Sequence, residues 1–311
     1  MFELEKIAKE GAVDTGSVTY GLLNNYQART FLKQTFDSTP LLGAIRHVLR
    51  VEKSGEIDKI GIGRRLLRAK AENTDDGYRA KPTFGSVSYA TKAVRLPWEI
   101  TEETLRQNIE GENFEKIVTD LMTTQIGIDT EDLLINGDES TQSGATDYDF
   151  LKLDNGFRKQ IISGGHVNDC TSEAAMSLDM FYETLQLMPN KYNNGRLRWL
   201  MSPFRAQQWE LFLYNKIITA GGIVPESIYK SPASIPTIQV PNLDDSTIIL
   251  TDPQNLIEVN TYNVKIRKDA ASKDAIMQDK RFYVVHFDLD AVIEEIDATA
   301  VMTNIPDFLN A

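Results

Sequence analysis

The sequence predicts an α+β fold, and three observations support this prediction. A single long helical pattern runs from Asn113 to Ile135. A long, polar β-hairpin precedes it between residues 51 and 96, and a block of alternating helices and strands follows it. The long helix therefore lies between a β-hairpin and a region of mixed helices and strands.

Composition limits the classes of protein to consider. The 311 residues suffice for one large domain or two modest ones, and 41% hydrophobic with 25% charged residues is typical of a soluble globular protein. No apolar run approaches the roughly 18 residues of a membrane span. The one cysteine, Cys170, excludes an internal disulfide framework and fits a reducing cytoplasm. The net charge of −12 argues against wrapping nucleic acid as the main role.

The first 45 residues predict an arm. Short amphipathic pieces alternate with Gly-, Ser- and Thr-rich linkers, which indicates two short helices that extend from the main domain. An N-terminal helical subdomain is the alternative interpretation.

The hairpin is predicted from its turn and its alternation. Asp76-Gly77 is a strong turn signal, and residues 55–70 and 83–98 read as its outgoing and returning strands. The hairpin has few large apolar residues, so it must pack on another surface to be stable. From Lys59 to Arg95 there are nine Lys/Arg against three acids, a net of +6, whereas Trp98 to Glu139 carry twelve acids against two bases, a net of −10. This contrast predicts that the hairpin contacts an acidic surface on another copy of the chain.

The long helix is predicted to begin at an Asn113 N-cap and to end at Asn136-Gly137 in a left-handed conformation. Its 23 residues would span about 35 Å. Apolar residues share one face of the first half, which predicts that this half packs in the subunit's own core. The residues of this face are Phe114, Ile117, Val118, Leu121 and Met122. For the second half we predict contact with a neighbouring subunit, and a half-exposed end of a domain helix is the alternative interpretation.

The C-terminal half of the chain alternates helices and strands. Residues 138–170 read as a loop-rich connection, followed by helices over 178–188 and 203–218. Strands are predicted within 196–202, 235–241, 246–252, 256–268 and, as one or two long strands, 281–305.

Catalytic and metal-binding patterns are weak. The three histidines lack zinc-ligand spacing, Gly61-Ile62-Gly63 lacks the third glycine of a dinucleotide motif, and no P-loop or nucleophile elbow occurs. His166 precedes Cys170 by four residues, but a buried, unreactive thiol is the favoured interpretation. Four acids near the C-terminus can be read as a cation site or, preferably, as alternating onto a solvated face: Asp288, Asp290, Glu294 and Glu295.

The order of features resembles one family. The strand end at Trp98-Glu99, the segment Ile100–Leu105, an acidic gap, the long helix and Leu134–Asp138 resemble the spine-helix region of HK97-fold major capsid proteins of tailed phages. The resemblance covers nearly the whole chain, although none of its motifs is highly specific. It implies an HK97-like capsid fold with five regions: an N-terminal arm over 1–50, an extended E-loop hairpin over 51–97, a P-domain with the spine helix over 98–165, an α/β A-domain over 166–274 and P-domain return strands over 275–311.

The resemblance also implies a function. The chain would be a non-enzymatic subunit that forms hexamers and pentamers of an icosahedral head around dsDNA, which it would contact without sequence specificity. No helical segment of about 100 residues precedes the arm, which implies a separate scaffolding protein, and a portal and a decoration protein are further implied partners. No cofactor, metal or membrane is expected. The protein would reside in the virion after assembly in the host bacterial cytoplasm.

Two other classes stay open at this point. An encapsulin-type shell shares the fold but encloses protein cargo, and an α/β enzyme would need a catalytic set that the sequence does not display. For the capsid interpretation we predict an intersubunit interface in which basic hairpin residues face acids of a neighbouring copy. The residues predicted for it are Arg64, Arg65, Arg68, Lys70, Glu102, Glu103, Glu131 and Asp132.

Overall fold

The computed structural model describes residues 39–61, 66–69, 75, 77–107, 113–219, 231–261 and 265–306. Within these ranges the strands form two five-stranded sheets and a separate two-stranded hairpin. The strands are β1 Arg46–Leu49, β2 Ser54–Gly61, β3 Thr83–Ala90, β4 Lys92–Thr101, β5 His166–Asp169, β6 Arg198–Met201, β7 Thr237–Gln239, β8 Ile248–Thr251, β9 Leu256–Asn260, β10 Lys265–Asp269, β11 Lys280–Ile293 and β12 Thr299–Thr303.

Helices pack around the sheets, and one of them is far longer than the others in the described ranges. They are α1 Glu102–Gln107, α2 Phe114–Asn136, α3 Tyr148–Leu151, α4 Phe157–Gly164, α5 Leu178–Leu187, α6 Pro203–Thr219 and α7 Lys273–Gln278.

The first sheet is built on β11. Strand β4 runs antiparallel along it from Lys92, opposite Leu289, to Thr101, opposite Lys280. On its other edge β11 pairs first with β10 and then with β9. Strand β1 adds to β9 in parallel, and its first pair is Arg46 with Ile257. At residue 289 the pairing of β11 with β4 ends and its pairing with β9 begins.

The second sheet has the order β5-β12-β8-β6-β7. Strands β5 and β12 are parallel, whereas β8 runs antiparallel to both β12 and β6. Its core includes Trp199 and Trp209, both of which contact the ring of Phe181 edge-on at centroid distances of 5.1 and 4.9 Å. The predicted helices and strands of this region are thus confirmed, with ends that differ by a few residues.

The hairpin strands β2 and β3 pair antiparallel from Ser54 opposite Ala90 to Gly61 opposite Thr83. The predicted hairpin is confirmed, although the paired strands are shorter than predicted. Gly77 has φ +68, a left-handed conformation that glycine adopts without steric cost, as the turn signal predicts. Its neighbour Asp76 lies outside the described residues.

Burial along α2 confirms the prediction for the first half but not for the second. In the first half Val118 is buried in the largest core and Phe114 and Met122 pack against it, and in the second half Leu133 to Ile135 are buried in the same core. That core also contains Phe157 of α4, so α2 and α4 share it. The second half therefore serves the subunit's own core, and the prediction that it faces a neighbour is wrong. The helical period identified an apolar face but carried no information on which half other elements cover.

The end of α2 also differs from the prediction. Gly137 has φ −51 and is not left-handed. A Cβ at this position would lie 2.5 Å from the backbone oxygen of Asp154 and 2.7 Å from that of Leu133. Close packing of two backbone segments, and not a positive φ, therefore requires glycine here.

Three further expectations need correction. Residues 1–38, and with them most of the predicted arm, lie outside the described residues, but residues 46–49 at its predicted end form strand β1 of the first sheet. The predicted connection over 138–170 contains α3, α4 and β5. The sheets also cross the predicted boundary at residue 274, because β9 and β10 join β11 while β12 lies inside the second sheet.

Candidate assembly surface

The base of the hairpin is anchored by apolar packing. Ile57 of β2 and Tyr89 of β3 are buried against Ile257, Val259 and Val292 of the first sheet. Of the sixteen residues in β2 and β3, only these two are buried. Apolar packing therefore attaches the described strands of the hairpin at these two positions and not along their whole length.

The distal part of the hairpin exposes apolar side chains. Ile60 and Phe84, which are directly opposite each other in the ladder, are 69% and 71% exposed. Leu67, beyond the end of β2, is fully exposed. A cluster of exposed apolar side chains on a projecting element is typical of a surface that another chain covers.

Polar contacts supplement the anchor. The Lys59 ammonium donates to the Glu294 backbone oxygen and to Glu295 Oε2, both at 3.1 Å. The Tyr89 hydroxyl donates to the Glu52 backbone oxygen at 3.2 Å, and the Thr91 amide donates to the Lys53 oxygen at 2.7 Å. The hydrogen bonds from Tyr89 and Thr91 fix the position at which the chain turns from β3 into β4.

The junction of β3 and β4 is bound to β11 through a carboxylate. The β4–β11 ladder ends at Lys92 opposite Leu289. One step further, the Ala90 amide donates to Asp290 Oδ2 at 2.7 Å. The Asp290 side chain therefore binds the chain just beyond the end of the backbone ladder.

Asp290 shares this site with a second buried acid. Asp154 follows α3, its Oδ2 accepts from the Ala291 amide at 3.1 Å, and its carboxyl is hydrogen-bonded to that of Asp290. Burial, together with the neighbouring charge of Asp290, raises the pKa of Asp154 to about 7. Burial raises the pKa of Asp290 as well. Sequence reasoning missed this pair, because 136 positions separate the two residues in the chain.

The predicted basic residues are only partly described. Arg64, Arg65 and Lys70 lie outside the described residues. Arg68 is exposed, and its guanidinium carbon lies 3.6 Å from the ring centroid of Tyr78.

The predicted acids lie in two separate groups. Glu102 binds Arg281, with oxygen–nitrogen distances of 2.5 and 3.1 Å, and Arg281 also binds Glu115 in the first turn of α2. Glu103 is exposed and accepts from Gln107 at 2.9 Å. Glu131 follows Glu115 by 16 residues, about 24 Å of helix. The structure does not bring the four predicted acids together.

Glu131 is not a surface residue. It is 2% exposed, and one of its oxygens accepts from the amides of Leu41 and Leu42 at 3.0 and 3.2 Å. Burial raises its pKa, and these two hydrogen bonds oppose that effect. Its role as an interface acid is therefore excluded, since the carboxylate already holds the chain that leads into β1. Asp132 is half-buried and accepts from the Asn136 amide at 2.7 Å.

The predicted solvated face on β11 is also wrong. Asp288 and Asp290 are 1% and 8% exposed, because the strand has neighbours on both edges and both faces. Glu294 and Glu295 are half-buried and pair with Arg46 and Lys59. No group of three potential metal ligands occurs within the described residues.

Cys170 is buried, and burial raises the pKa of its thiol to about 11, so that it stays protonated at neutral pH. Of the helices in the described ranges, none combines the length and the apolar character that crossing a membrane requires.

Comparison with solved structures establishes the fold. The procapsid of satellite phage P4 matches with a TM-score of 0.59 at 16% identity, over 91% of this chain and 99% of that one. The SrpI encapsulin of Synechococcus elongatus PCC 7942 matches with a TM-score of 0.57 at 14% identity, over 91% and 96%. The fold is therefore that of the HK97-like shell proteins.

Sequence comparison narrows the class further. The chain is 29% identical over 304 residues to the putative prophage capsid protein YqbE of Bacillus subtilis (strain 168). The matched region covers 92% of this chain and 94% of that protein. No model of a known protein family matches the sequence. The predicted resemblance to HK97-fold phage capsid proteins is thus confirmed, since the chain is similar in sequence to a putative prophage capsid protein and in fold to phage capsid structures.

Proposed function

We propose that this chain is the major capsid protein of a phage head and that it assembles into hexamers and pentamers of an icosahedral shell. One observation carries the proposal beyond the fold. Among the described residues of the hairpin strands, only Ile57 and Tyr89 are buried against the rest of the subunit, and the strands expose the large apolar side chains of Ile60 and Phe84. A second copy of the chain is the partner that would cover them in a shell.

Substitution of the exposed pair tests this role. Replacing Ile60 and Phe84 together by Ser should abolish shells, since burial of two large apolar side chains contributes about 1.5–3 kcal/mol each at an interface. The unfolding curve of the subunit should stay nearly unchanged, because neither side chain is buried within it. Light scattering and electron microscopy measure assembly, and circular dichroism measures unfolding.

Ser86→Ala is the matched control, because Ser86 is exposed and lies two residues from Phe84 on the same face of β3. This variant should assemble like the wild type. Normal shells from the Ile60/Phe84 double variant would contradict the proposed role of the hairpin.

Charge complementarity between copies is part of the same proposal. The basic hairpin residues Arg64, Arg65, Arg68 and Lys70 would face Glu102, Glu103 or Asp132 of a neighbouring copy. Exposed ion pairs contribute only about 0–1 kcal/mol each. Their effect becomes large only through repetition over all copies of a shell.

The remaining partners follow from the capsid role. The head would enclose dsDNA, contacted without sequence specificity, and assembly in the bacterial cytoplasm would use a separate scaffolding protein and a portal, with a decoration protein as a further partner. The subunit itself would catalyse no reaction.

An encapsulin-type compartment is the second candidate, since the SrpI shell has the same fold. The two candidates differ in what the particle encloses. Nuclease-resistant dsDNA in purified particles supports the phage head, whereas protein cargo without DNA supports the compartment.

A further inference from the structure

We propose that the Asp154–Asp290 pair is a proton-dependent latch that holds the base of the hairpin to β11 and releases it when both carboxyls are ionised. The latch consists of these two carboxyls and the Ala90 amide, which donates a hydrogen bond to the Asp290 carboxylate. The inference concerns the subunit alone and does not rest on the capsid role.

The two acids are held by rigid parts of the molecule. Asp290 lies on β11 at a position paired with Val259 of β9. Asp154 lies in the segment that ends at Gly156, whose amide donates to the Gly137 oxygen at 2.8 Å. A Cβ on Gly156 would lie 2.6 Å from the Ile135 backbone oxygen, so this segment is packed directly on the end of α2. Moving the backbone at either acid would therefore disrupt the packing of the core.

The hairpin is the partner that can move. Its anchor is small, and Ala90 marks the point where the backbone ladder with β11 has ended. When the base of the hairpin separates from Asp290, water reaches both carboxyls and solvates their charges. Repulsion within the pair is therefore relieved most easily by release of Ala90.

The charged groups around the pair do not neutralise it. Lys92 of β4 lies near both acids, but its ammonium binds Glu139 Oε1 at 2.8 Å. The other Glu139 oxygen accepts from the Asn155 amide at 2.8 Å, which fixes Glu139 in place. Asp288, two positions before Asp290 on β11, binds Lys53 at 3.2 Å and accepts from the Thr261 hydroxyl at 2.7 Å, both through its Oδ2.

The direction of the pH effect follows from the linkage between protonation and latching. With one proton in the pair, the Asp154 O–H donates to the Asp290 carboxylate, which keeps its bond to Ala90. Burial raises the pKa of Asp154 from 3.8 to about 7, so the latched state binds this proton more tightly than the released state. The latch is therefore strongest at low pH and weakens as the pH rises through about 7.

Hydrogen exchange tests the latch on the full chain. Protection of the Ala90 amide, corrected for intrinsic exchange, should fall about tenfold between pH 6 and pH 8, as expected if release restores an ordinary carboxyl pKa. Protection in 284–289 of β11 should not change. The assembly state is verified to be the same at both values of pH.

Asp154→Asn mimics the protonated acid and should keep the hairpin base protected at both values of pH. Asp288→Asn is the matched control, because it removes a buried carboxylate of the same strand without altering the pair, and it should keep the tenfold change. Equal protection of the wild type at pH 6 and 8 would overturn the proposal, as would a tenfold change that persists in Asp154→Asn.

A titration of the wild-type protein tests the latch without any substitution, so its result does not depend on whether a variant folds. In wild-type protein with labelled aspartate, one carboxyl carbon should titrate near pH 7. A spectrum in which no aspartate titrates above pH 6 refutes the latch and leaves the capsid proposal unaffected.

Discussion

The hairpin and the strand β11 are both extended chain, but they differ in what surrounds them. In β11 every side chain from Phe287 to Ile293 is buried, since the strand pairs with β4 on one edge and with β10 and β9 on the other, and its apolar side chains lie in the subunit's cores. In the hairpin each strand has one paired edge, and only Ile57 and Tyr89 are buried. The same secondary structure thus serves as the centre of a core in one region and as a projecting arm in the other.

This difference has a consequence for where mutations act. In β11 a substitution changes the free energy of unfolding, because the side chain is buried within one subunit. In the distal hairpin a substitution leaves that free energy nearly unchanged and acts on association, because the side chain is covered only by a partner. Three substitutions, in order of decreasing effect on subunit stability, test this contrast.

Leu289→Ala should have the largest effect. Leu289 is 1% exposed at the point where β11 changes partners, and truncation of such a residue costs about 2–5 kcal/mol. Ile60→Ala in the hairpin is the control and should cost less than about 0.5 kcal/mol. Chemical denaturation measures both values, and equal losses would show that the distal hairpin is packed within its own subunit.

Lys59→Met should have an intermediate effect. Its ammonium binds Glu295 and the Glu294 oxygen, but both charged side chains are about one-third exposed, so the loss should be about 0–1 kcal/mol. Hydrogen exchange should increase in residues 54–61 and 83–90 and not in 284–289. An equal increase in both regions would mean that hairpin and core open together.

Replacement of Arg64, Arg65 and Arg68 together by Glu should have the smallest effect on the subunit, with a change in unfolding free energy within about 0.5 kcal/mol. Assembly should be lost, because the variant places like charges against the acids of the neighbouring copy. Added salt weakens such contacts through screening over a Debye length of about 8 Å at physiological ionic strength.

Glu substitutions at Lys216, Arg267 and Lys273, which are exposed and do not line the cavity beside the hairpin, provide the control with the same change in charge. If the hairpin contacts nucleic acid instead of protein, the Arg variant should form empty shells. DNA-filled shells like those of the wild type would contradict both interpretations of the basic hairpin.

The sequence by itself determined the elements and their order. Periodicity and turn chemistry placed the long helix, the hairpin, α5, α6 and most strands, because these signals are local. Gly77 is an example, since its positive φ follows from the turn signal at residues 76 and 77. The order of these elements also sufficed for the resemblance to HK97-fold capsid proteins, which the comparisons bear out.

Only the tertiary structure decided which surfaces are covered. The second half of α2, Glu131, Asp288 and Asp290 were all expected to face outward, and all are buried by elements distant in the chain. The pairing of Asp154 with Asp290 likewise depends on how α2, β11 and the hairpin meet. Burial is set by contacts between residues far apart in sequence, and the local pattern of polar and apolar residues does not contain them.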